Sequence, residues 1–388
     1  MNASKRIVTA LLDKAGPPDH SFVSGMLADT IARNAPNVVF LVVSKEQWTQ
    51  RAKPFRYHRA ICLPALLPRK HIGRLLNYIA ARLVIRKIAK RAARSGAMRS
   101  SVLVRNDPML LLGSAHEKRR FDRLVFQSSF PHEVVATGAK RTIALWCFNQ
   151  SSRYVDALLA VSPLGLLRVR RLFPEVGGGG YIPLLADHII ESNPAAERQD
   201  RPVKFIYSGS HDPERQLDVV LRAIADANLP PSAAQFTFLG GDDRLVDALR
   251  RDVSGIARLE STGAIRFVTA VPRDSVFGIL RDHDVGLSLI PPLSIYKEAS
   301  PTKLAEYMAS GLAVIVSNGI ALQEDWVNAS QCGIVVAFNT EDITKAIKDT
   351  AGDPLKIKSM KYLAWKYAKD WLSYDRYRSD LEKWLWQG

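Results

Sequence analysis

One stretch decides the fold of this chain: Glu298-Ala-Ser-Pro-Thr-Lys-Leu-Ala-Glu306, continued by Tyr-Met-Ala-Ser-Gly311 and Leu-Ala-Val-Ile-Val-Ser317. The pattern predicts a loop, a short helix and a strand. Leu312 to Val316 is a short apolar run enriched in β-branched residues. Such a run is typical of a strand that is covered on both faces of a parallel sheet.

The start of the predicted helix is suited to bind a phosphate group. Ser300 is expected as the N-cap and Pro301 as the first helical residue, while Gly311 suits the position after the last turn. A helix start presents free N–H groups and the positive end of the helix dipole. Lys303 adds a mobile cation one turn into the helix.

Two carboxylates flank this phosphate site and need a different explanation. Glu306 lies three residues after Lys303, on the same helix face. A carboxylate there is compatible with phosphate if it accepts hydrogen bonds from a vicinal diol such as a ribose. Glu298 precedes the helix and could reach another hydroxylated group. The alternative is a surface helix with a Lys303–Glu306 ion pair.

The positive charge of the chain is concentrated in its first half. The net charge is +16, but residues 1–190 carry 30 Lys/Arg against 11 Asp/Glu, and the remainder is slightly acidic. Between Glu46 and Asp107 there are 15 Lys/Arg and no acidic residue. This asymmetry indicates an anionic partner for the first half: a membrane surface, nucleic acid or a phosphorylated substrate.

Arg69 to Arg94 is the longest helical pattern of the first half. Six Lys/Arg crowd the rest of its second half. Its apolar positions follow helical spacing and continue as one stripe: Ile72, Leu75, Leu76, Ile79, Leu83, Ile85, Ile88 and Ala92. We interpret it as a basic amphipathic helix that can lie on an anionic membrane. A helix packed on a sheet with a solvated basic face is the alternative. No nucleic-acid-binding motif is present, and nucleic acid is not expected as a partner.

Length and composition favour two α/β domains in a reducing compartment. The chain has 388 residues, which suggests two domains of about 150–200 residues each. No apolar run reaches the ~18–20 residues needed to span a bilayer. The N-terminus reads as a first strand and not as a signal peptide. Cys62, Cys147 and Cys332 are isolated, which suggests a cytosolic protein without a cysteine-based metal site.

Two series of β-α-β patterns divide the chain. We expect an N-terminal domain over residues 1–190, a linker over 191–202, a second domain over 203–360 and an aromatic-rich C-terminal helix over 361–388. The linker is polar, and the charge balance changes sign there. Ile143 to Trp146 is among the expected strands of the first domain. Gly177 to Gly180 is interpreted as a hinge or a slack loop.

Two further features of the chain concern its first domain. His132 lies in a polar loop directly after the expected strand Leu124–Phe126, where open α/β sheets bind ligands, and is therefore a candidate site residue. The C-terminal segment from Leu355 to Trp386 carries four Trp and four Tyr. We expect it to pack back on the first domain; contact with the membrane interface is the alternative.

These motifs resemble the family 4 retaining glycosyltransferases, which have the GT-B fold. Glu298 and Glu306 are separated by seven residues, as in that family's E-x7-E signature, and the stretch from Tyr307 to Asn318 is similar to the family's segment that follows. Similar segments also occur at Asp156–Pro163, Tyr181–Pro183 and Tyr207–Gly209. The likeness covers residues 150–350 well and matches the first 150 in general plan. It implies two Rossmann-like domains facing each other across a cleft.

The resemblance also implies roles for individual residues. Glu306 would bind the ribose of the nucleotide and Glu298 the hydroxyls of the donor sugar. His132 would sit beside the sugar and diphosphate. Gly209 would leave room for the nucleotide, and the loop up to Val271 would border the base. The remaining donor-site candidates hold the diphosphate or lie at the neighbouring strand end: Ser300, Pro301, Thr302, Lys303 and Gly240.

One part of the phosphate clamp departs from the family pattern. The family usually has Arg after the turn glycine and Lys a few residues later, whereas Ser210 occupies the Arg position here. Arg215 or Lys303 would replace the lost charge. No paired acidic motif is seen in a plausible loop, so neither a metal nor another cofactor is expected. The resemblance implies retention; for inversion, Asp19 or His20 would be the candidate base.

The resemblance therefore implies a UDP- or GDP-sugar-dependent hexosyltransferase of bacterial cell-surface polysaccharide synthesis. Its acceptor would be a lipid-linked saccharide, met by the cationic first domain on the inner face of the cytoplasmic membrane. A scaffold or binding protein with a degenerate GT-B fold is the main alternative, since the expected Arg is missing at Ser210. An epimerase or phosphorylase on the same fold is a further one.

Overall fold

The computed structural model describes residues 7–13, 21–34, 39–43, 60–63, 72–94, 99–129, 131–186, 188–194 and 201–387. The chain divides into two compact units. The first unit comprises Met1–Pro183 together with Tyr374–Gly388, and the second comprises Leu184–Ser373. Candidate residues Asp19 and His20 lie outside the described residues, as does 195–200 of the expected linker.

The first unit contains a seven-stranded parallel sheet with the order β3-β2-β1-β4-β5-β6-β7. The strand order reverses direction between β1 and β4, as in Rossmann-like sheets. The strands are β1 Ile7–Asp13, β2 Val39–Val43, β3 Ala60–Leu63, β4 Arg99–Arg105, β5 Arg123–Ser128, β6 Ala157–Ala160 and β7 Gly179–Tyr181.

Helices join these strands, and a last helix returns from the end of the chain. A π-helical segment, Ser21–Ala28, precedes α1. The α-helices are α1 Asp29–Asn34, α2 Ile72–Arg94, α3 Pro108–Ala115, α4 His132–Val135, α5 Gly138–Ser151, α6 Pro163–Leu172 and α15 Asp375–Trp386.

The expected strand Ile143–Trp146 is wrong, because these residues form the middle of α5. A short continuous apolar run does not by itself distinguish a strand from a buried helix. The helical period becomes visible only over the whole segment. Its buried positions are spaced by three or four residues: Ala144, Cys147, Phe148 and Ser151.

The structure limits the interpretation of α2 as a helix whose apolar stripe lies on a membrane. Ile85, Ile88 and Ala92 are buried in the core of the first unit, where α2 packs against α3. These three side chains are not available to lipid, whereas Ile79 and Leu83 of the same helix are exposed, and the membrane contact of α2 stays a prediction. The cationic face remains exposed, with Lys87 and Lys90 in solvent. No helix in the described part of the chain is long and apolar enough to cross a membrane.

The second half of the run of four glycines is neither a hinge nor a slack loop. Gly179 and Gly180 belong to β7, which pairs with β6. A Cβ on Gly179 would lie 1.9 Å from the Leu158 carbonyl oxygen, and one on Gly180 would lie 2.5 Å from the Trp384 ring. Gly179 and Gly180 are thus required by close packing against β6 and α15, whereas a Cβ on Gly177 would meet no atom within 4 Å.

The expected return of the C-terminal helix to the first unit is confirmed. Trp384 packs on Gly180, and the indole Nε1–H of Trp386 donates to Thr9 Oγ1 at 3.0 Å. The guanidinium of Arg99 donates to the carbonyl oxygen of Trp386 at 2.7 Å. The aromatic tail is therefore divided: its last helix belongs to the first unit and its preceding helix to the second.

The second unit contains a six-stranded parallel sheet with the order β10-β9-β8-β11-β12-β13. This is again a Rossmann-like order, which reverses between β8 and β11. The strands are β8 Val203–Ser208, β9 Ala234–Gly241, β10 Ile265–Thr269, β11 Val285–Ser288, β12 Ala313–Ser317 and β13 Gly333–Val336.

In the described part of the second unit eight α-helices cover this sheet, and its central strands are almost wholly apolar and buried. The helices are α7 Leu217–Ala227, α8 Asp243–Asp252, α9 Ile256–Ser261, α10 Arg273–Arg281, α11 Thr302–Ala309, α12 Ala321–Ser330, α13 Thr340–Gly352 and α14 Pro354–Trp371.

Candidate functional site

The candidate donor-site residues of the second unit lie at the carboxyl edge of its sheet. Gly209 follows β8, Gly240 is near the end of β9, and Val271 lies in the loop between β10 and α10. Glu298 lies in a turn of the long loop between β11 and α11 and is half-buried. In open α/β sheets this edge, next to the reversal of strand order, is where ligands bind.

Helix α11 starts one residue later than the sequence predicts. Pro301, and not Ser300, is the N-cap, and its carbonyl oxygen accepts from Leu304 N–H at 3.0 Å. Ser300 does not cap the helix, because its hydroxyl accepts instead from Leu184 N–H at 2.7 Å. Thr302 and Lys303 begin the helix, and their N–H groups have no acceptor among the described residues. The expected anion-binding helix start is therefore present.

The other end of α11 is fixed as expected. Gly311 has a φ of 70° and its N–H donates to Met308, while Leu312 N–H donates to Tyr307. This pair of bonds is the Schellman motif that commonly ends a helix. A Cβ on Gly311 would also lie 2.4 Å from the Pro194 ring. Helix α11 is thus held at both ends by residues that precede β8.

Lys303 forms no ion pair with Glu306 among the described residues and lies over an aromatic ring instead. Its Nζ is 4.0 Å from the centroid of the Tyr207 ring. The Tyr207 hydroxyl donates to the carbonyl oxygen of Ser210 at 2.9 Å. A Cβ on Gly209 would lie 3.4 Å from Lys303 Nζ. The lysine therefore reaches the turn after β8.

The side-chain amine of Lys303 is readily protonated when an anion lies next to it. Its side chain is partly exposed as a whole, but its ammonium group is packed against the protein. Burial, assisted by the nearby positive charge of Arg215, lowers the pKa of Lys303 to about 7, while Glu306 opposes the shift. A bound diphosphate would raise that pKa again, because an adjacent negative charge favours the ammonium form.

Arg215 lies beside the same position. Its guanidinium stands 5.0 Å from the centroid of the Tyr296 ring, in the loop that also carries Glu298. Arg215 ends a short 3-10 turn, and Gln216 follows it with a φ of 48°. The two cations that the sequence offers in place of the missing arginine are thus brought together, whereas Ser210 contributes no charge.

Glu306 is fixed by a residue that the sequence analysis did not select. Arg273 Nη2 donates to Glu306 Oε1 at 3.1 Å. Arg273 is the first residue of α10, two residues after Val271. This contact places the loop after β10 next to the carboxylate expected to bind ribose.

Two glycines allow the turns at this edge to approach each other. Gly209 and Gly240 have φ values of 147° and 111°, which favour glycine. A Cβ on Gly240 would lie 2.7 Å from the carbonyl oxygen of Gly209. Any larger residue at 240 would therefore displace the turn after β8.

Tyr307 joins α11 to two strands of the sheet. Its hydroxyl oxygen accepts from Ser208 N–H at 2.7 Å. Its ring lies over β11, where a Cβ on Gly286 would be 2.3 Å from ring carbon Cδ2. The side chain is fully buried. It therefore sets the distance between Lys303 on α11 and the turn after β8.

His211 is a buried polar residue directly behind this turn. It is 3% exposed, and neither ring nitrogen has a hydrogen-bond partner in the described part of the chain. Its ring contacts those of Tyr207, Phe238 and Phe267. Burial, followed by the charge of Lys303, lowers the pKa of His211 to about 4. The imidazole is therefore neutral at physiological pH.

The candidate residues of the first unit are only partly described. His132 is the first residue of α4, directly beyond β5, but its side chain lies outside the described residues. Its neighbour Glu133 contacts Arg168, which also donates to Ser128 Oγ at 3.0 Å. The position of His132 at the carboxyl edge of the first sheet agrees with its selection, and its role stays a prediction.

Five residues of this edge were not predicted from the sequence: Tyr207, His211, Arg273, Tyr296 and Tyr307. One of them, Tyr307, carried a local signal. Tyr307 stands where the resembling family has alanine, and Gly286 in an apolar strand marks the space that the Tyr307 ring fills. Arg273 and Tyr296 carried none, because their contacts join segments that are far apart in sequence.

Part of the second unit is similar to a known protein family. Residues 202–353 match a family model described as Glycosyl transferases group 1. No curated protein matches the chain.

Solved structures cover nearly the whole chain. Sucrose-phosphate synthase from Thermosynechococcus elongatus is 17% identical, with a TM-score of 0.69 over 97% of this chain and 98% of that one. HepE of Anabaena, solved with UDP and glucose, is 14% identical, with a TM-score of 0.68 over 97% and 98%. A glycosyltransferase from Rickettsia africae is 14% identical, with a TM-score of 0.65 over 98% of each chain. The expected GT-B fold class, with two Rossmann-like units, is confirmed.

Proposed function

We propose that the protein is a glycosyltransferase that uses a UDP- or GDP-linked sugar as its donor. The observation that carries the proposal is the convergence of Lys303, Arg215 and the open start of α11 beside Gly209. These groups offer two cations and two backbone N–H donors to a diphosphate. Residues 202–353, which match the glycosyltransferase family model, contain all of them.

The chemistry would be departure of the nucleoside diphosphate from the anomeric carbon of the sugar. Negative charge builds on the diphosphate in the transition state, so its stabilisation by fixed donors is the main task. Lys303, Arg215 and the N–H groups of Thr302 and Lys303 would provide this stabilisation without a metal ion. Ser300 and Pro301 would shape the loop through which the diphosphate approaches.

The nucleoside would lie along the neighbouring strand ends. Glu306, held by Arg273, would accept hydrogen bonds from the ribose hydroxyls. Val271 would border the base, while Gly209 and Gly240 would leave space for the nucleotide. Glu298 would contact hydroxyls of the donor sugar. HepE, which was solved with UDP and glucose, is a protein of similar fold.

On the second unit, Glu298 would be the residue nearest the reaction; on the first unit, the candidate is His132. With retention of configuration no dedicated base on the acceptor is required. With inversion, Asp19 or His20 would be the base. The likeness of the Glu298–Glu306 motif to retaining enzymes favours retention.

We further propose that the acceptor is a lipid-linked saccharide presented at an anionic membrane surface. Three helices of the first unit, which pack against one another, expose large apolar side chains. They are Val134 and Val135 on α4, Ile143 and Trp146 on α5, and Leu164 and Leu167 on α6. Exposed apolar groups that include a tryptophan, near cations, are suited to the membrane interface.

Through this contact the enzyme would be a peripheral protein on the cytoplasmic face of the membrane. There it would take part in polysaccharide synthesis. Pelleting with vesicles rich in anionic lipid tests it. We expect binding at low salt, a loss at high salt, and weaker binding of a Trp146→Ser/Leu167→Ser variant. Failure of the wild-type protein to pellet at low salt would contradict the membrane contact.

The activity itself is tested by product analysis with labelled UDP- and GDP-sugars and a membrane lipid fraction. We expect label to move to the lipid fraction in the presence of the wild-type protein. Release of free nucleotide without sugar transfer, or an epimerised donor, would indicate another reaction on the same fold.

A second candidate function is that of a scaffold with a degenerate site, favoured by Ser210 in place of the expected arginine. Such a protein should not bind UDP or GDP. The convergence of Arg215 and Lys303 weighs against it, because it brings two basic side chains to one open helix start, where an anion would be bound.

A further inference from the structure

The second unit has a cavity of about 990 Å³ that does not belong to the proposed donor site. It lies at the opposite, amino edge of the sheet. Lys204 near the start of β8 and Arg281 at the end of α10 line it, together with Ser310, which follows the last residue of α11. Five residues separate Lys204 from Gly209, or about 16 Å along a strand. The two sites are therefore on opposite edges.

The wall of this cavity carries an excess of positive charge. Four cations line it: Arg201, Lys204, Arg281 and Lys361. Lys204 and Arg281 form no ion pair with any described residue. Two carboxylates, Glu191 and Asp282, also line it and are exposed.

The other two cations share one buried carboxylate. Arg201 contacts both oxygens of Asp284, at 2.8 and 3.0 Å, and Lys361 Nζ lies 3.1 Å from Oδ1. Asp284 is 3% exposed. Burial alone would raise the pKa of Asp284. The net shift is downward, because the carboxylate is stabilised by the charge of Lys361, by the N–H of Lys204 and by Arg201. One carboxylate balances one of these two charges and leaves the other for a ligand.

A buried hydroxyl on the cavity wall lacks a partner. Ser310 is 3% exposed, and its Oγ makes no hydrogen bond to the residues that the structure describes. A buried polar group without a partner costs about 1–3 kcal/mol, so a partner is expected to reach it in the working state. The oxygen itself is closed off from the cavity as the side chain stands, so a ligand would supply that partner after a rotation about the Cα–Cβ bond of Ser310.

From these observations we propose that the cavity binds a small hydroxylated phosphate ester. Lys204, Arg281 and the uncompensated charge of the Arg201–Lys361 pair would hold the phosphate. Ser310, Glu191 and Asp282 would bind hydroxyl groups, since carboxylates accept hydrogen bonds from them. The volume of the cavity is at the upper end of the range for small-molecule sites.

Calorimetry of the full chain with glucose 6-phosphate tests the proposal, with glucose and inorganic phosphate as the two partial probes. We expect glucose 6-phosphate to bind more tightly than phosphate, and glucose not to bind at the same concentration. The double variant Lys204→Ala/Arg281→Ala should bind at least tenfold more weakly, and Ser310→Ala a few-fold more weakly. Melting temperatures of the variants verify that they are folded.

A donor-site variant separates this cavity from the proposed function. Lys303→Met should bind glucose 6-phosphate as the wild-type protein does, whether or not the protein binds UDP or GDP. Three results would overturn the proposal: no binding by the wild-type chain, unchanged binding by the double variant, or loss of binding in Lys303→Met.

Discussion

The ammonium group of Lys303 lies 4.0 Å from the centroid of the Tyr207 ring, so that a cation on α11 meets the end of β8. A cation over an aromatic face is stabilised by about 0.5–2 kcal/mol, which partly offsets the cost of burying it. Lys303 can therefore supply a positive charge beside Gly209 when it is protonated.

Lys303 should take up a proton when a nucleoside diphosphate binds. Its pKa is about 7 in the free protein, so at pH 8 the amine is largely neutral, and the diphosphate favours the charged form. Calorimetry of UDP or GDP binding in buffers of different ionisation enthalpy should show uptake approaching one proton at pH 8. Affinity should fall as pH rises from 7 to 10.

Lys303→Met should abolish this proton uptake and weaken nucleotide binding at least tenfold. Lys348→Met, which removes an exposed lysine from α13, is the matched control and should change neither. Proton uptake that persists in Lys303→Met would contradict the assignment.

Glu306→Gln should weaken nucleotide binding by at least a few-fold. The substitution keeps the shape of the side chain but removes the charge that faces Arg273 and one acceptor for ribose hydroxyls. Calorimetry with UDP and GDP measures the change. Glu341→Gln, at an exposed position of α13, should leave affinity unaltered. An equal affinity for Glu306→Gln and the wild-type protein would falsify the ribose role.

Gly286→Ala should destabilise the protein by about 1–3 kcal/mol or more, because the new methyl group would overlap the Tyr307 ring. Denaturant unfolding monitored by tryptophan fluorescence measures this. Gly278→Ala is the control, since no atom lies within 4 Å of its Cβ position in α10, and a helical alanine should stabilise by about 0.5–1 kcal/mol. Two variants of equal stability would refute the packing of Tyr307 on β11.

The free energy of unfolding should fall as pH drops from about 6.5 to about 4. Burial lowers the pKa of both His211 and His283 to about 4, so the unfolded chain binds more protons than the folded one in this interval. Each unit of pKa difference corresponds to about 1.4 kcal/mol. Urea unfolding at a series of pH values measures the slope.

His211→Phe should reduce that slope by about half and leave stability at pH 7 unchanged or higher. The substitution breaks no hydrogen bond to a described residue, because neither ring nitrogen of His211 has such a partner. A phenyl ring also suits the aromatic neighbours of this position. The contribution of His283 should remain. A pH dependence identical to that of the wild-type protein would contradict this account of His211.

The parallel sheet of the second unit and the helix at its carboxyl edge could be predicted from sequence because their signals are local. Gly311 after α11 and the buried run into β12 are each determined within a few residues. The start of α11 was misplaced by one residue because the Ser300 hydroxyl binds Leu184, a partner remote in sequence. Likewise, the contact of Arg273 with Glu306 depends on the docking of α10 beside α11.

In the first unit the errors have the same origin. The glycines of β7 suggested flexibility, because nothing near them in sequence shows that Trp384 packs on Gly180. The apolar stripe of α2 had the composition of a membrane-bound helix, but composition does not reveal that α2 packs against α3 and buries part of the stripe while Ile79 and Leu83 stay exposed. Local patterns therefore established the elements, while long-range contacts decided which faces remained open.

The central claim, a nucleotide-sugar site on the second unit, is tested most directly by the thermal unfolding of the wild-type chain with UDP and with GDP. A nucleotide at 100 times its dissociation constant adds about 2.7 kcal/mol to the free energy of unfolding. We predict that one of the two raises the melting temperature, and that the increase is smaller in Lys303→Met and Glu306→Gln. An unchanged melting temperature with both nucleotides would contradict the claim.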